Sequence, residues 1–369
     1  MTITANAAIV EETGGPFVFA TVELDDLRPN EILVRIAATG LCHTDLTVQD
    51  GHLPFPLPGI LGHEGAGIVE KVGSSIAHIN PGDHVALSFT SCGSCKNCRN
   101  GHPAYCANWL DYNILNHGRR QDGSPTATRS GENVGACFFG QSSFSTHAVV
   151  DYRSVVKIDE NMPFEMAAAL GCGIQTGAGT IFNVLTPPPG SALAVFGAGA
   201  VGMAAIMAAN LLPLSQLIAV DRVASRLELA RELGATHTID TTYESVPEQL
   251  SALVPGGLDF AVDTTAHPDI MQQAISALGT LGTCALVGAA PSGTEIPLAA
   301  STFLTGKKIV GVTEGDSEPA TIIELLATLH QRGRFPLEKI IHPYPFSKIN
   351  EAAADARAGN VIKPVLIFE

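Results

Sequence analysis

A chain of 369 residues, 46% hydrophobic and 15% charged, carries enough apolar side chain for two ordinary domains and excludes a disordered polypeptide. Its formal net charge of −15 repels phosphate backbones, which weighs against a nucleic-acid partner. The opening "MTITANAAIVEETGG" has no basic region followed by an apolar stretch, so no signal peptide is expected and a cytoplasmic, reducing location is.

Residues 30 to 90 read as short strands between turns: "EILVRIAATGLC", "AGIVEKVGS" and "GDHVALSF" run apolar or alternate, with Gly and Pro between them. This predicts an all-β segment. The stretch "CGSCKNCRNGHPAYC" follows, with spacing C-x2-C-x2-C-x7-C. Cys92, Cys95, Cys98 and Cys106 can close a tetrahedral zinc shell, leaving no place for water or substrate, so such a site stabilises its loop. Free surface thiols and an iron–sulfur cluster are the alternatives; the Cys-Pro that ends a typical cluster run is absent. Residues 107 to 135 are polar and rich in Gly, Ser, Thr, Asn and Arg, and read as a long loop.

From about residue 191 the texture changes. "SALAVFG", "QLIAVD", "ATHTID", "GLDFAVDTT", "GTCALVG" and "KKIVGVT" are six strand candidates. Helical patterns such as "AVGMAAIMAANLL", ended by Pro213, and "ASRLELARELG" lie between several of them. The alternation predicts an α/β fold with a Rossmann-type, doubly wound parallel sheet. The apolar run from 192 to 220 is interrupted by Gly197, Gly199, Gly202, Asn210 and Pro213, so no membrane span or membrane partner is expected. Residues 334 to 369 return to short strands and one helix, "SKINEAAADARAG".

"VFGAGAVG" places Gly197, Gly199 and Gly202, with Val201, between a strand and a helix, as a dinucleotide loop requires. The helix N-terminus offers partial positive charge to a pyrophosphate. Asp221, at the end of the next strand, suits the two ribose hydroxyls of NAD and repels the 2′-phosphate of NADP. It also suits a helix cap, and Arg222 and Arg226 leave the cofactor choice open at this point. Elsewhere "GLCHTDL" offers Cys42, "ILGHEGAG" offers His63 and Glu64, and "LGCGIQTG" offers Cys172. Two thiolates and an imidazole leave zinc a free fourth position. Spacing alone does not join them, and each is compatible with an ordinary buried or turn residue.

These motifs, with "LPGILGHEGAGIVEKVG", "PGDHVAL", "FFGQSSFSTHAVV" and the closing "KPVLIFE", resemble the zinc-dependent medium-chain alcohol dehydrogenases over nearly the whole chain. The sequence is most similar to the benzyl- or aryl-alcohol members. The resemblance implies a β-rich, GroES-like catalytic domain (residues 1–172 and 313–369, with the zinc lobe 92–106) and a Rossmann coenzyme domain at 173–312. It implies Cys42, His63 and Cys172 as catalytic zinc ligands, and Glu64 as a carboxylate behind the metal. Asp45 would orient the zinc-bound His63, and Thr44 would supply the hydroxyl at the reacting oxygen. The four-cysteine lobe would hold the second, structural zinc. His43 and Lys363 would lie near the pyrophosphate, Thr176 on the nicotinamide side, and Arg226 near the adenosine ribose, where it no longer argues for NADP. Val287, Gly288 and Ala289 would give backbone contacts to the nicotinamide. Phe138 and Phe139, joined by Leu53, Phe89 and Trp109, would line an aromatic substrate pocket, against the plain alternative of core aromatics.

One position departs from the family pattern. Thr47 stands where many members place a histidine that ends the proton relay, leaving water, His43, His52 or another base to receive the proton. The expected enzyme is an NAD-dependent oxidoreductase, a homo-oligomer, acting on a primary aryl alcohol and its aldehyde. The alternatives are an S-hydroxymethylglutathione or polyol dehydrogenase of the same fold, and a non-catalytic NAD-binding relative.

Overall fold

Alternation of apolar side chains decides which core each strand residue enters. Glu31–Gly40 reads EILVRIAATG. Ile32, Val34 and Ile36 join Val69, Val85, Leu87 and Val150 in one cluster, whereas Leu33 joins Ile9, Val10 and Phe144 in another. A period of two puts neighbours on opposite faces, so this strand is buried on both sides.

The computed structural model describes residues 3–369 and divides into two units. The first holds the chain through Cys172, with Glu318–Gln331 and Leu337–Glu369; the second holds Gly173–Ser317 and Arg332–Pro336.

In the first unit, a seven-stranded sheet runs Val155–Lys157, His84–Leu87, Gly65–Val72, Glu31–Gly40, Lys363–Ile367, Ile341–Pro345, with His147–Asp151 also paired to Glu31–Gly40. A five-stranded sheet runs Gly59–Ile60, Ile3–Val10, Phe17–Leu24, Ala127–Arg129, Glu132–Asn133. The last strand sets Val365 opposite Gly40, and the Leu41 N–H donates to the Pro364 carbonyl at 3.0 Å. The C-terminus is thereby brought beside the turn that carries Cys42.

Two helices correct the sequence reading here. His43–Gln49 lies inside the segment expected to be all β. It is too short for its periodicity to stand out, and its N-cap is Cys42 rather than Ser, Thr, Asp or Asn. Trp109–Asn113 lies inside the expected long loop. It is fixed by Asn113, whose Oδ1 accepts from the Thr90 N–H and whose Nδ2 donates to the Thr90 carbonyl, both at 2.9 Å.

The second unit is a six-stranded parallel sheet in the order His237–Asp240, Gln216–Asp221, Ala192–Phe196, Leu258–Asp263, Leu278–Leu286, Lys308–Gly311. All six strand candidates are strands. In chain order this is 3-2-1-4-5-6, a doubly wound sheet whose order reverses between the first and fourth strands. Ala192, Ala194 and Phe196 pack with Ile218, Val220 and Ile239 on one face. The helix Ala200–Ala209 is buried on nearly every side, and its small residues let it lie close to the sheet. It ends at an Asn210 cap, before Pro213. Among the described residues no helix is long and apolar enough to cross a membrane.

Candidate active site

Three distant segments of the first unit meet in one cluster. Cys42 caps the helix His43–Gln49, His63 and Glu64 precede the strand Gly65–Val72, and Cys172 lies in a π-helical turn, Leu170–Ile174. One donor atom from each of Cys42, His63, Glu64 and Cys172 lies within 4.8 Å of the others. Such π-turns widen a helix locally and are frequent at functional sites. His63 Nε2 is buried and has no hydrogen-bond partner. Two sulfurs and an unpartnered imidazole nitrogen converging in a buried space form a donor set suited to zinc.

Asp45 builds the histidine side of this cluster. Its Oδ1 sits 3.0 Å from His63 Nδ1 and accepts the Gly62 N–H at 3.0 Å, while Oδ2 accepts the Cys42 N–H at 2.9 Å. A proton held on Nδ1 leaves the Nε2 lone pair directed at the sulfurs. Burial alone would depress the imidazole, but the Asp45 carboxylate and the Cys42 sulfur outweigh it and raise its pKa well above the ordinary value. A hydrogen bond with Cys172 holds the Cys42 thiol well below its ordinary pKa against burial, helped by His63 and Lys363.

Several supporting residues have no signal in the sequence reading. Gln141 is buried; its Oε1 accepts the Gly65 N–H, and its Nε2 donates to the carbonyls of His63 and Ser88 at 2.9 and 3.1 Å. Ser88 Oγ donates to the Gly171 carbonyl at 2.7 Å, beside Cys172. Gln141 stood in a motif read for its aromatics, and a lone amide or hydroxyl reveals nothing until its partners are known. Gly40 is reserved for the carboxylate behind the cluster, since a Cβ there would lie 1.9 Å from Glu64 Oε2.

Lys363 was expected near a pyrophosphate. The structure buries it, with Nζ donating to Glu64 Oε1 at 2.5 Å. Burial would lower its pKa, but Glu64 and the Cys42 sulfur raise it. Burial raises Glu64 in turn, opposed by Lys363. The Thr44 Oγ1 lies 3.7 Å from the Cys42 Sγ. Thr47 donates its hydroxyl to the His43 carbonyl at 2.9 Å, and the His43 and His52 side chains are exposed.

The aromatic group is partly corrected. Phe138 retains no accessible surface and Phe89 only 2%, so both are core rings rather than walls of an open pocket. Phe139 stacks on the His63 imidazole at 4.5 Å between centroids, and Trp109 meets its edge at 5.6 Å. Leu53 and Trp109 stay half-buried.

The sulfurs of Cys92, Cys95, Cys98 and Cys106 also lie within 4.8 Å of one another. Backbone N–H groups of Cys92, Ser94 and Cys95 donate to Sγ atoms at 3.3, 3.4 and 3.2 Å. Four crowded sulfurs do not all ionise unaided. Against burial, the N–H groups of Ser94 and Cys95 bring Cys92 down to about 6, whereas burial and the neighbouring sulfurs push Cys98 up to about 12. A dication resolves that conflict.

In the second unit, Gly197 turns the chain at φ 93° after Ala192–Phe196, and Val201 and Gly202 lie in the first turn of Ala200–Ala209. Asp221 faces this loop: Oδ2 accepts the Ala198 N–H at 2.6 Å, and Oδ1 accepts from Arg222 and Val223 at 2.7 and 2.9 Å. Arg226 is half-buried on the following helix. Thr176 is buried, with Oγ1 donating to Glu314 Oε2 at 3.4 Å. The N–H groups of Val287 and Gly288 donate to the Asp263 carbonyl at 2.9 and 3.3 Å. Ala289 follows them in the same loop.

Comparison with known proteins identifies the family. The family described as alcohol dehydrogenase GroES-like domain matches residues 28–160, and the family described as zinc-binding dehydrogenase matches residues 200–331. A geraniol dehydrogenase of Castellaniella defragrans is 40% identical over 368 residues, covering 99% of this chain and 98% of its own. The crystal structure of a benzyl alcohol dehydrogenase from Acinetobacter calcoaceticus is 40% identical, covers 100% of both chains and superposes with a TM-score of 0.96. An alcohol dehydrogenase zinc-binding domain protein from Burkholderia ambifaria is 43% identical over 100% of both chains, with a TM-score of 0.97. The chain belongs to the zinc-type, medium-chain alcohol dehydrogenase family of oxidoreductases.

Proposed function

We propose that this chain is an NAD-dependent dehydrogenase of primary alcohols, converting an aryl alcohol to its aldehyde and back, with two zinc ions per chain. The meeting of Cys42, His63 and Cys172 carries this reading. In it, the first unit is the catalytic domain and the second, which takes in Thr313–Ser317 and Arg332–Pro336, is the coenzyme domain. We place the enzyme in the cytoplasm as a homo-oligomer.

Cys42, His63 and Cys172 hold the catalytic zinc, Asp45 fixes the tautomer of His63, and Lys363 holds Glu64 to one side. Zinc supplies Lewis acidity, lowering an alcohol's pKa by about nine units, or ~12 kcal/mol. Thr44 Oγ1 carries the departing proton outward. Thr47 has no basic group with which to end that relay, and its hydroxyl donates to the His43 carbonyl. Bound NAD would supply the hydride acceptor, so that an alcohol would give an aldehyde, NADH and a proton, with Gly197, Gly199, Gly202 and Asp221 holding the dinucleotide. Asp221, aimed at the glycine loop, supports NAD over NADP.

The relatives at 40% identity are named for geraniol and benzyl alcohol. In both, the carbinol carbon adjoins a π-system, so the product aldehyde is conjugated. That favours an aryl substrate, with an allylic alcohol as the second reading. Metal-replete enzyme should turn over benzyl alcohol with kcat/KM about 100-fold above ethanol, because burying an aromatic ring is worth 2–3 kcal/mol. NAD should exceed NADP by a similar factor. An ethanol preference would remove the aryl reading, and failure to reduce either nucleotide with any alcohol would remove the dehydrogenase reading.

The four-cysteine lobe gives a separate prediction. Cys98→Ser should lower zinc content from two ions to one and destabilise the protein by at least about 3 kcal/mol, since structural zinc binding is itself folding energy. Metal analysis and limited proteolysis within residues 92 to 106 check it. Unchanged zinc content would refute the assignment.

A further inference from the structure

We propose that Glu314 is a fixed negative charge at the nicotinamide end of the coenzyme site, and that it selects the oxidised, cationic ring over the reduced, neutral one. This inference rests on the dinucleotide reading of the second unit and goes beyond it in naming the residue that discriminates redox state.

Three observations within that unit converge on Glu314. The first is backbone strain. Glu314, Gly315 and Asp316 have φ values of 48°, 66° and 46°, a run of three residues in the left-handed region. Aspartate and glycine are tolerated there, but glutamate enters that region rarely, and such strain persists only where surrounding structure imposes it, often at ligand sites.

The second is how the loop is held. A Cβ on Gly315 would lie 2.6 Å from the Gln175 carbonyl oxygen, and one on Gly179 would lie 2.5 Å from the Gly315 carbonyl oxygen. Asn183 Nδ2 donates to the carbonyls of Gly315 and Asp316 at 3.0 and 3.2 Å. The helix beginning at Gln175 and the loop are therefore locked together at van der Waals limits. Glu314 itself is buried, and its Oε2 accepts from Gln175 Nε2 at 3.0 Å and from Thr176 Oγ1 at 3.4 Å. Both neighbours present donors to this oxygen, an environment that accommodates the ionised form of the carboxyl group.

The third is topology. A doubly wound sheet binds its dinucleotide across the carboxyl ends of its strands, at the reversal of strand order. Asp221 ends the second strand and marks the adenosine side; the glycine loop after the first strand takes the pyrophosphate. The remaining half of the dinucleotide lies over the fourth, fifth and sixth strands. Glu314 stands in the loop beyond the carboxyl end of the sixth strand, Lys308–Gly311. NAD+ carries a positive charge on that ring and NADH does not. A carboxylate fixed nearby in a water-poor site attracts the first and not the second.

The test is Glu314→Gln in the full-length, metal-replete enzyme, which removes the charge and keeps an acceptor oxygen for Gln175 and Thr176. The Kd values of NAD+ and NADH are measured separately, by calorimetry and by nucleotide fluorescence. NAD+ affinity should fall by about tenfold while NADH changes less than about twofold. Glu314→Asp, which keeps the charge, should retain most of the NAD+ affinity, whereas a purely structural role would make it at least as harmful as Gln. Equal loss for both nucleotides, or no loss for either, overturns the proposal. If wild-type enzyme bound neither nucleotide, the dinucleotide reading itself would fall, a distinct result. If Glu314→Gln does not fold, Glu314→Ala takes its place, because it also removes the charge. The same one-sided loss is then required, and its absence overturns the proposal.

Discussion

Cys172→Ser should lower kcat/KM by at least about 10⁴-fold while leaving NADH binding within a few-fold of wild type. Removing the Lewis acid forfeits most of the ~12 kcal/mol it contributes to the proton step, and each 1.36 kcal/mol is tenfold. A serine hydroxyl does not replace a thiolate, because it stays protonated and is a poor partner for a borderline-soft ion. The loss should therefore show first as missing zinc. Cys172 lies 9% exposed in a π-turn, fixed from behind by Ser88 on the Gly171 carbonyl, so the smaller atom has little freedom to approach. Kinetics combined with metal analysis decide the matter. Wild-type turnover in a variant shown to carry one zinc fewer would sink the catalytic assignment.

Gly202→Ala should destabilise the coenzyme unit by about 3 kcal/mol and weaken NAD binding by about 100-fold, the upper end of what overpacking a tight contact costs. A Cβ at Gly202 would lie 1.8 Å from the Gly197 carbonyl oxygen and 2.9 Å from its carbon. Both are backbone atoms, so no side-chain rotation relieves the clash. The helix Ala200–Ala209 must lift from the strand Ala192–Phe196, taking its N-terminus away from the pyrophosphate. Gly199 is the control. A Cβ there meets nothing within 4 Å, so Gly199→Ala should leave the melting temperature unchanged. It should still weaken NAD, because the added carbon occupies the space the pyrophosphate approaches. Equal melting temperatures for the two variants would show that the loop does not pack as described.

The two predictions differ in what the sequence alone supports. The Gly202 argument was readable from "VFGAGAVG", because strand, turn and helix are consecutive and their contacts are local. The four-cysteine lobe was readable for the same reason, with its ligands inside fifteen residues. The parallel sheet was readable from six apolar runs alternating with helical ones, since a fully buried strand must be apolar throughout. Cys42, His63 and Cys172 were readable only as three isolated candidates. Their sequence separation carries no geometric information, and family resemblance rather than spacing grouped them.

What the sequence determined by itself, then, was local: secondary structure wherever the period was long enough, the dinucleotide loop and the closed metal lobe. Tertiary structure decided the rest. It set Lys363 of the last strand beside Glu64 through pairing with Glu31–Gly40, and gave that lysine a buried ion pair that the sequence did not show. It turned Phe138 from a pocket wall into core, stacked Phe139 on His63, and gave Gln141 and Ser88 their tasks behind the cluster. It bent Glu314–Asp316 into a left-handed run against Gln175 and Gly179. Each of these depends on which distant backbone a side chain meets, and that is set by burying the apolar faces of whole sheets rather than by any neighbour in the chain.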